Sequence, residues 1–174
     1  MTRLFAILLL LVSPLIGQPS FGEAALFNTD WKFQKGDSPE WSRPELDDSG
    51  WRNVDLPHDW SVEGPHEKSL ASATGYLPGG IAWYRKTFEA PDLTKGRRFH
   101  IHFEGIYRNG EDFLNGESLG MRPNGYLPVT HDLTSRLKPG RNTLAVRVDH
   151  SESADSRWYT GSGIYRNVHW IESG

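Results

Sequence analysis

Cysteine is absent from this 174-residue chain. That excludes disulfides, thiol chemistry and cysteine metal sites, so stability rests on a packed core, which about 150 residues can supply. Basic runs are absent too. Its 19 Lys and Arg are scattered among 22 Asp and Glu, with a formal net charge of -3, so no nucleic acid is expected as a partner. The one conspicuous apolar run, Leu4 to Val12, is too short to cross a bilayer as a helix. No long 3.6-residue period appears after it, which leaves little room for helix.

What is present begins with a leader-like segment. Met1-Thr2-Arg3 is a short basic start, the apolar run follows, and Ser13 to Gly22 is turn-rich. Gly22 and Ala24 place small residues where a signal peptidase reads. The expectation is a secretory signal over residues 1–24, cleaved near Ala24, and one domain over residues 25–174. The product is then secreted or periplasmic, free of the membrane once cut. An uncleaved anchor is the other reading. Removing residues 1–24 deletes Arg3 and Glu23, so the net charge is unchanged.

The mature part is aromatic-rich yet polar, with seven Trp, six Tyr, eight Phe and a mean hydropathy of -0.56. Short alternating runs predict strands at Trp31–Phe33, Trp51–Leu56, Ile81–Phe88, Arg98–Glu104, Thr143–Asp149 and Ile164–Ile171. In Thr143–Asp149, Leu144, Val146 and Val148 fall on one face, which predicts a single buried side. Asn115-Gly116, between two apolar runs, predicts a type I′ hairpin because both residues tolerate positive φ. Asp132 to Gly140 reads as a single helical turn ended by Pro139-Gly140. Short strands separated by turn signals predict an all-β, two-sheet sandwich of jelly-roll, galactose-binding-like type.

Several residues invite chemistry. His58 and Asp59 are adjacent and point apart on extended chain, so a structural reading is preferred, with Asp59 closing the turn after Pro57 and Trp60 packed inward. His100 and His102 share one strand face, but two ligands make a weak metal site and the sequence indicates no third. They read as a solvated face. Residues 61–80 form a long aperiodic segment, read as wall material for a binding site. Arg157-Trp158-Tyr159 gathers a guanidinium and two rings before Gly161 and Gly163. Rings beside fixed donors suit the apolar face and hydroxyl edge of a sugar.

An ordered set of phrases then stands out: Leu56-Pro57-His58-Asp59-Trp60; Gly75-Tyr76-Leu77-Pro78-Gly79-Gly80 with Trp83-Tyr84-Arg85-Lys86; Phe103 to Asn109; Leu114-Asn115-Gly116; Asn124-Gly125-Tyr126; Leu137 to Gly140; and Arg157-Trp158-Tyr159 with Gly161 to Val168. Together they resemble the N-terminal sugar-binding domain of glycoside hydrolase family 2, closest to its β-galactosidase branch, over nearly all of the mature chain. The resemblance implies a jelly roll followed in the family by an immunoglobulin-like domain and a (β/α)8 barrel. That barrel carries the two catalytic glutamates of a retaining mechanism. It also implies a β-linked saccharide as ligand, with Gly79, Gly80, Arg157, Trp158 and Tyr159 near the sugar. In this reading Arg157 donates to hydroxyls and Trp158 stacks on the ring; in the alternative Trp158 is core and Arg157 pairs with Asp155. No catalytic residue, cofactor or metal is expected within these residues. The expectation is a sugar-binding domain without catalytic machinery, from a truncated or split product. A free-standing binding module and a domain completed by a separate barrel chain are the alternatives.

Glu104, Glu111 and Asp112 read as ordinary surface acids rather than a catalytic pair. Asp112 departs from the pattern, standing on the same face as Leu114 where the family has an apolar residue. Buried there unpaired it would cost several kcal/mol, so an Arg or backbone partner is expected, or else a weakened strand.

Overall fold

The computed structural model describes residues 22–152 and 156–174, without the side chain of Lys95. Ten strands follow one another: β1 (Glu23–Leu26), β2 (Trp31–Lys35), β3 (Arg52–Val54), β4 (Gly80–Glu89), β5 (Arg98–Phe103), β6 (Gly110–Leu114), β7 (Glu117–Arg122), β8 (Val129–Asp132), β9 (Arg141–His150) and β10 (Val168–Ser173). Helix is confined, among the described residues, to three single 3-10 turns. Among the described residues the strands pair antiparallel. One sheet has the order β1-β10-β5-β8 and the other β3-β2-β4-β9-β6-β7. The expected two-sheet sandwich is what forms.

Alternation decides what lies between the sheets. In β5, Phe99, Ile101 and Phe103 are buried while His100 and His102 look outward. Facing residues of β9 and β6 (Leu144, Val146, Val148, Leu114) join Trp31, Trp60 and Trp170 in one core. Large rings sit among aliphatic side chains there, and burying this apolar area is the principal driving force for the fold. The Asn115-Gly116 turn has φ of 52° and 85°, as a type I′ hairpin requires.

Two expectations change. In β9 both faces are buried from Asn142 to Val146, not one. Residues 37–51 fold over the outer side, and the buried Arg85 guanidinium fixes them by donating to Asp48 Oδ2 (2.8 Å) and to the carbonyls of Trp41 (2.6 Å) and Arg43 (2.9 Å). The strand expected over Ile164–Ile171 begins only at Val168, because Gly163 instead bridges Tyr107. The single turn expected over Asp132 to Gly140 forms, closed by Leu137 N–H to Leu133 O at 3.0 Å. Residues 1–21 of the expected leader lie outside the described residues, while Glu23 and Ala24 pair with Glu172 and Ile171. Among the described residues no helix is long and apolar enough to cross a membrane.

Candidate functional site

One end of the sandwich, where β4 begins and β9 ends, holds a cavity of about 320 Å3. Pro78, Gly79 and Gly80 line one side and His150, Ser151 and Glu152 the other. The approach is close enough to demand glycine: a Cβ on Gly79 would lie 2.3 Å from the carbonyl oxygen of His150. Behind the wall runs a buried hydroxyl chain. Ser61 donates to Pro78 O (2.6 Å), its oxygen meets the Ser162 hydroxyl (2.5 Å), and that hydroxyl meets His150 Nδ1 (2.6 Å). Satisfied buried networks of this kind hold side chains in single positions. Ser162 is fully buried, so its contact with His150 is structural rather than that of an exposed nucleophile.

Asp59 ties the neighbouring loop to the same wall. Its Oδ1 accepts the N–H groups of Ser61 (3.0 Å) and Ser162 (2.8 Å), and its Oδ2 accepts the Tyr159 hydroxyl. Burial, then the Asp59 carboxylate, push the Tyr159 hydroxyl pKa above its usual value. Trp158 is 62% exposed and donates from Nε1 to the Tyr126 hydroxyl at 3.2 Å. Tyr126 meets Tyr107 edge-on at 5.4 Å, and Tyr107 abuts His150 at 5.1 Å. A series of rings therefore runs from the cavity wall to the surface.

Gly79 and Gly80 thus line the cavity, whereas Arg157, Trp158 and Tyr159 stand beside it without lining it. The reading of Trp158 as core is overturned by its exposure. Arg157 is exposed, and its suggested partner Asp155 lies outside the described residues. Sequence reasoning missed His150, which strand register sets opposite Gly80, and Ser151 and Glu152, which follow it beyond the end of β9. It placed Asp59 in a turn, correctly, but not its longer reach to Tyr159 and Ser162.

The three acids considered for catalysis are kept apart. Glu104 Oε1 accepts from His169 Nε2 (2.8 Å) on the outer face of the four-stranded sheet. Glu111 accepts from the Ser118 hydroxyl (3.1 Å), and Asp112 is buried between the sheets. The partner of Asp112 is an imidazole rather than Arg or backbone: Oδ2 lies 2.7 Å from His131 Nε2 on β8. Oδ1 has no hydrogen-bond partner. Burial raises the Asp112 pKa, and the His131 contact opposes that rise. Among the described residues no three potential ligands gather into a metal site.

Ten antiparallel strands in two sheets, closed at one end by a glycine-walled cavity and a rim of rings, define a jelly-roll β-sandwich. Residues 26–173 match the family model for glycosyl hydrolases family 2, sugar binding domain. The chain belongs to that family and carries this domain. It is 50% identical over 152 residues to β-galactosidase BoGH2A of Bacteroides ovatus, covering 86% of this chain and 18% of that protein. A β-galactosidase of Thermoanaerobacter pseudethanolicus is 32% identical, with 84% and 20% covered. A solved β-glycosidase from Bacteroides vulgatus superposes with a TM-score of 0.83 at 46% identity, over 87% of this chain and 20% of that one. The chain thus spans about a fifth of the length of these relatives. It is the sugar-binding portion, and no catalytic barrel lies within it.

Proposed function

We propose that the cavity at the β4–β9 end and the adjoining rings bind a β-linked saccharide for a glycosidase of the β-galactosidase kind. The observation that carries this reading is the combination of a glycine-walled cavity with Trp158, Tyr159 and Tyr126 exposed at its side. Exposed indole and phenol faces stack on sugar C–H faces, and hydroxyl and carboxylate edges meet sugar hydroxyls. Gly79 and Gly80 allow close approach, Trp158 stacks, Tyr159 is braced by Asp59, and Arg157 donates. The acids considered do not face one another, so cleavage falls to a barrel outside these residues, and the leader sends the protein out of the cytoplasm. Calorimetric titration of the purified chain with galactose and methyl β-galactoside tests the reading. Heat at millimolar sugar that Trp158→Ala removes supports it; no heat at that concentration overturns it.

A second reading uses the same surface differently. Tyr126, Leu127, Trp158 and Tyr159 are 48%, 53%, 62% and 40% exposed, an apolar group fit to meet a neighbouring barrel domain. Here the rings bury against protein, and free sugar gives no heat until that domain is present.

A further inference from the structure

The outer face of the four-stranded sheet carries a pairing that sequence spacing does not reveal. His102 on β5 stands directly opposite His169 on β10, with His100 opposite Ile171 one step along. The two rings lie 6.0 Å apart, centroid to centroid, and are tilted by 49°. The core packs on the other side of this sheet, and both imidazoles are partly exposed on the outer face. Thr130 of β8 and Leu26 of β1 complete the row across the strands.

Hydrogen bonds orient both rings. A carboxylate only accepts, so the 2.8 Å contact of His169 Nε2 with Glu104 Oε1 places the proton on Nε2 and the lone pair on Nδ1. His169 also holds the Glu104 carboxyl below its usual range. His102 Nδ1 lies 2.7 Å from Thr130 Oγ1; the hydroxyl can donate or accept, and in the tautomer whose Nδ1–H donates to it the Nε2 lone pair is bare. Each ring therefore uses one nitrogen to orient itself and keeps the other. Backing by a carboxylate or hydroxyl is the usual outer-shell support of a ligating histidine, setting its tautomer and raising its basicity.

We propose that His102 and His169 bind a divalent ion of the zinc–nickel–copper class, with Glu104 and Thr130 as their outer-shell partners and water filling the remaining positions. Imidazole suits these ions, and one ion bonded at about 2.0–2.1 Å to a nitrogen of each ring draws the rings somewhat closer than their present 6.0 Å, a side-chain rotation the outer face leaves room for. His100 is turned toward Asp132, 3.9 Å away, and does not supply a third ligand. Magnesium and calcium prefer oxygen shells and are excluded by the same chemistry. The ion ties β10, the last strand, to the central β5. It is independent of the saccharide end, so either proposal can fail alone.

Zinc chloride titrated into the chain, followed by the ring signals of the seven histidines, tests this. Expected is a joint shift of His102 and His169 at sub-millimolar zinc while the other rings stay in place, with a rise in melting temperature by mass action. His102→Asn and His169→Asn, both on the outer face, should keep the fold and each lose the shift and the rise. Glu104→Gln should weaken binding about 10-fold, because the amide oxygen still accepts from His169 but without the carboxylate's charge to raise the ring's basicity. Unmoved rings at 1 mM zinc, in a chain whose fold is verified by dichroism, overturn the proposal. Undiminished binding in either asparagine variant overturns it equally.

Discussion

Truncating His131 should be among the most damaging single changes in the core. Asp112 is 1% exposed and its one hydrogen-bonding partner is the His131 ring, which spans from β8 of one sheet to β6 of the other. His131→Ala leaves a buried carboxylate uncompensated, which costs about 3–5 kcal/mol. For a domain of about 150 residues that lowers the melting temperature by roughly 6–20 °C. The pH dependence follows from the direction of the shift. Burial raises the folded-state pKa of Asp112 above its unfolded value, so the folded state holds that proton more tightly. Stability from this group is complete below the unfolded carboxylate pKa of about 3.9 and is lost as pH rises through the raised folded value. Removing His131 takes away the contact that opposes the rise, so the loss should be greatest at neutral pH and shrink toward pH 4. Replacing both residues, as Asp112→Val with His131→Phe, should be neutral or stabilising by about 1–4 kcal/mol, helped by the cavity of about 230 Å3 beside them. Urea unfolding of wild type and the two variants at pH 4.5 and 7 measures all three quantities. A His131→Ala loss under about 1 kcal/mol at pH 7, against the 3–5 expected, or one equal at both pH values, refutes the reasoning.

Other perturbations probe the site and its supports. Gly79→Ala places a Cβ 2.3 Å from the His150 carbonyl oxygen; displacing that wall should cost about 1–3 kcal/mol and weaken sugar heats by calorimetry. Asp59→Ala strips an acceptor from Ser61 N, Ser162 N and the Tyr159 hydroxyl. It should cost about 1–3 kcal/mol and speed proteolysis between Arg157 and Gly163 more than elsewhere. Arg85→Ala leaves Asp48 and the carbonyls of Trp41 and Arg43 without their donor. By thermal melting it should lose about 3–5 kcal/mol, with the 37–51 segment loosening from the outer face of the sheet.

Local chemistry determined much of this protein. Alternation in Arg98–Phe103 set which residues face the core, and Asn115-Gly116 set the hairpin, because period-two burial and positive φ are properties of neighbouring residues. The ordered phrases identified the family, and the turn at Asp59 was legible beside Pro57. Tertiary structure decided what depends on residues distant in sequence. Both sides of β9 are buried because a loop about a hundred residues earlier returns over it, which no window around Thr143 contains. Asp112 is tolerated because His131 arrives from the opposite sheet. His102 gains a neighbour in His169 through a strand pairing 67 residues apart, and Gly80 meets His150 across 70. Patterns along a chain fix which way each side chain turns. Which side chains then meet is set by the pairing of strands and the stacking of sheets.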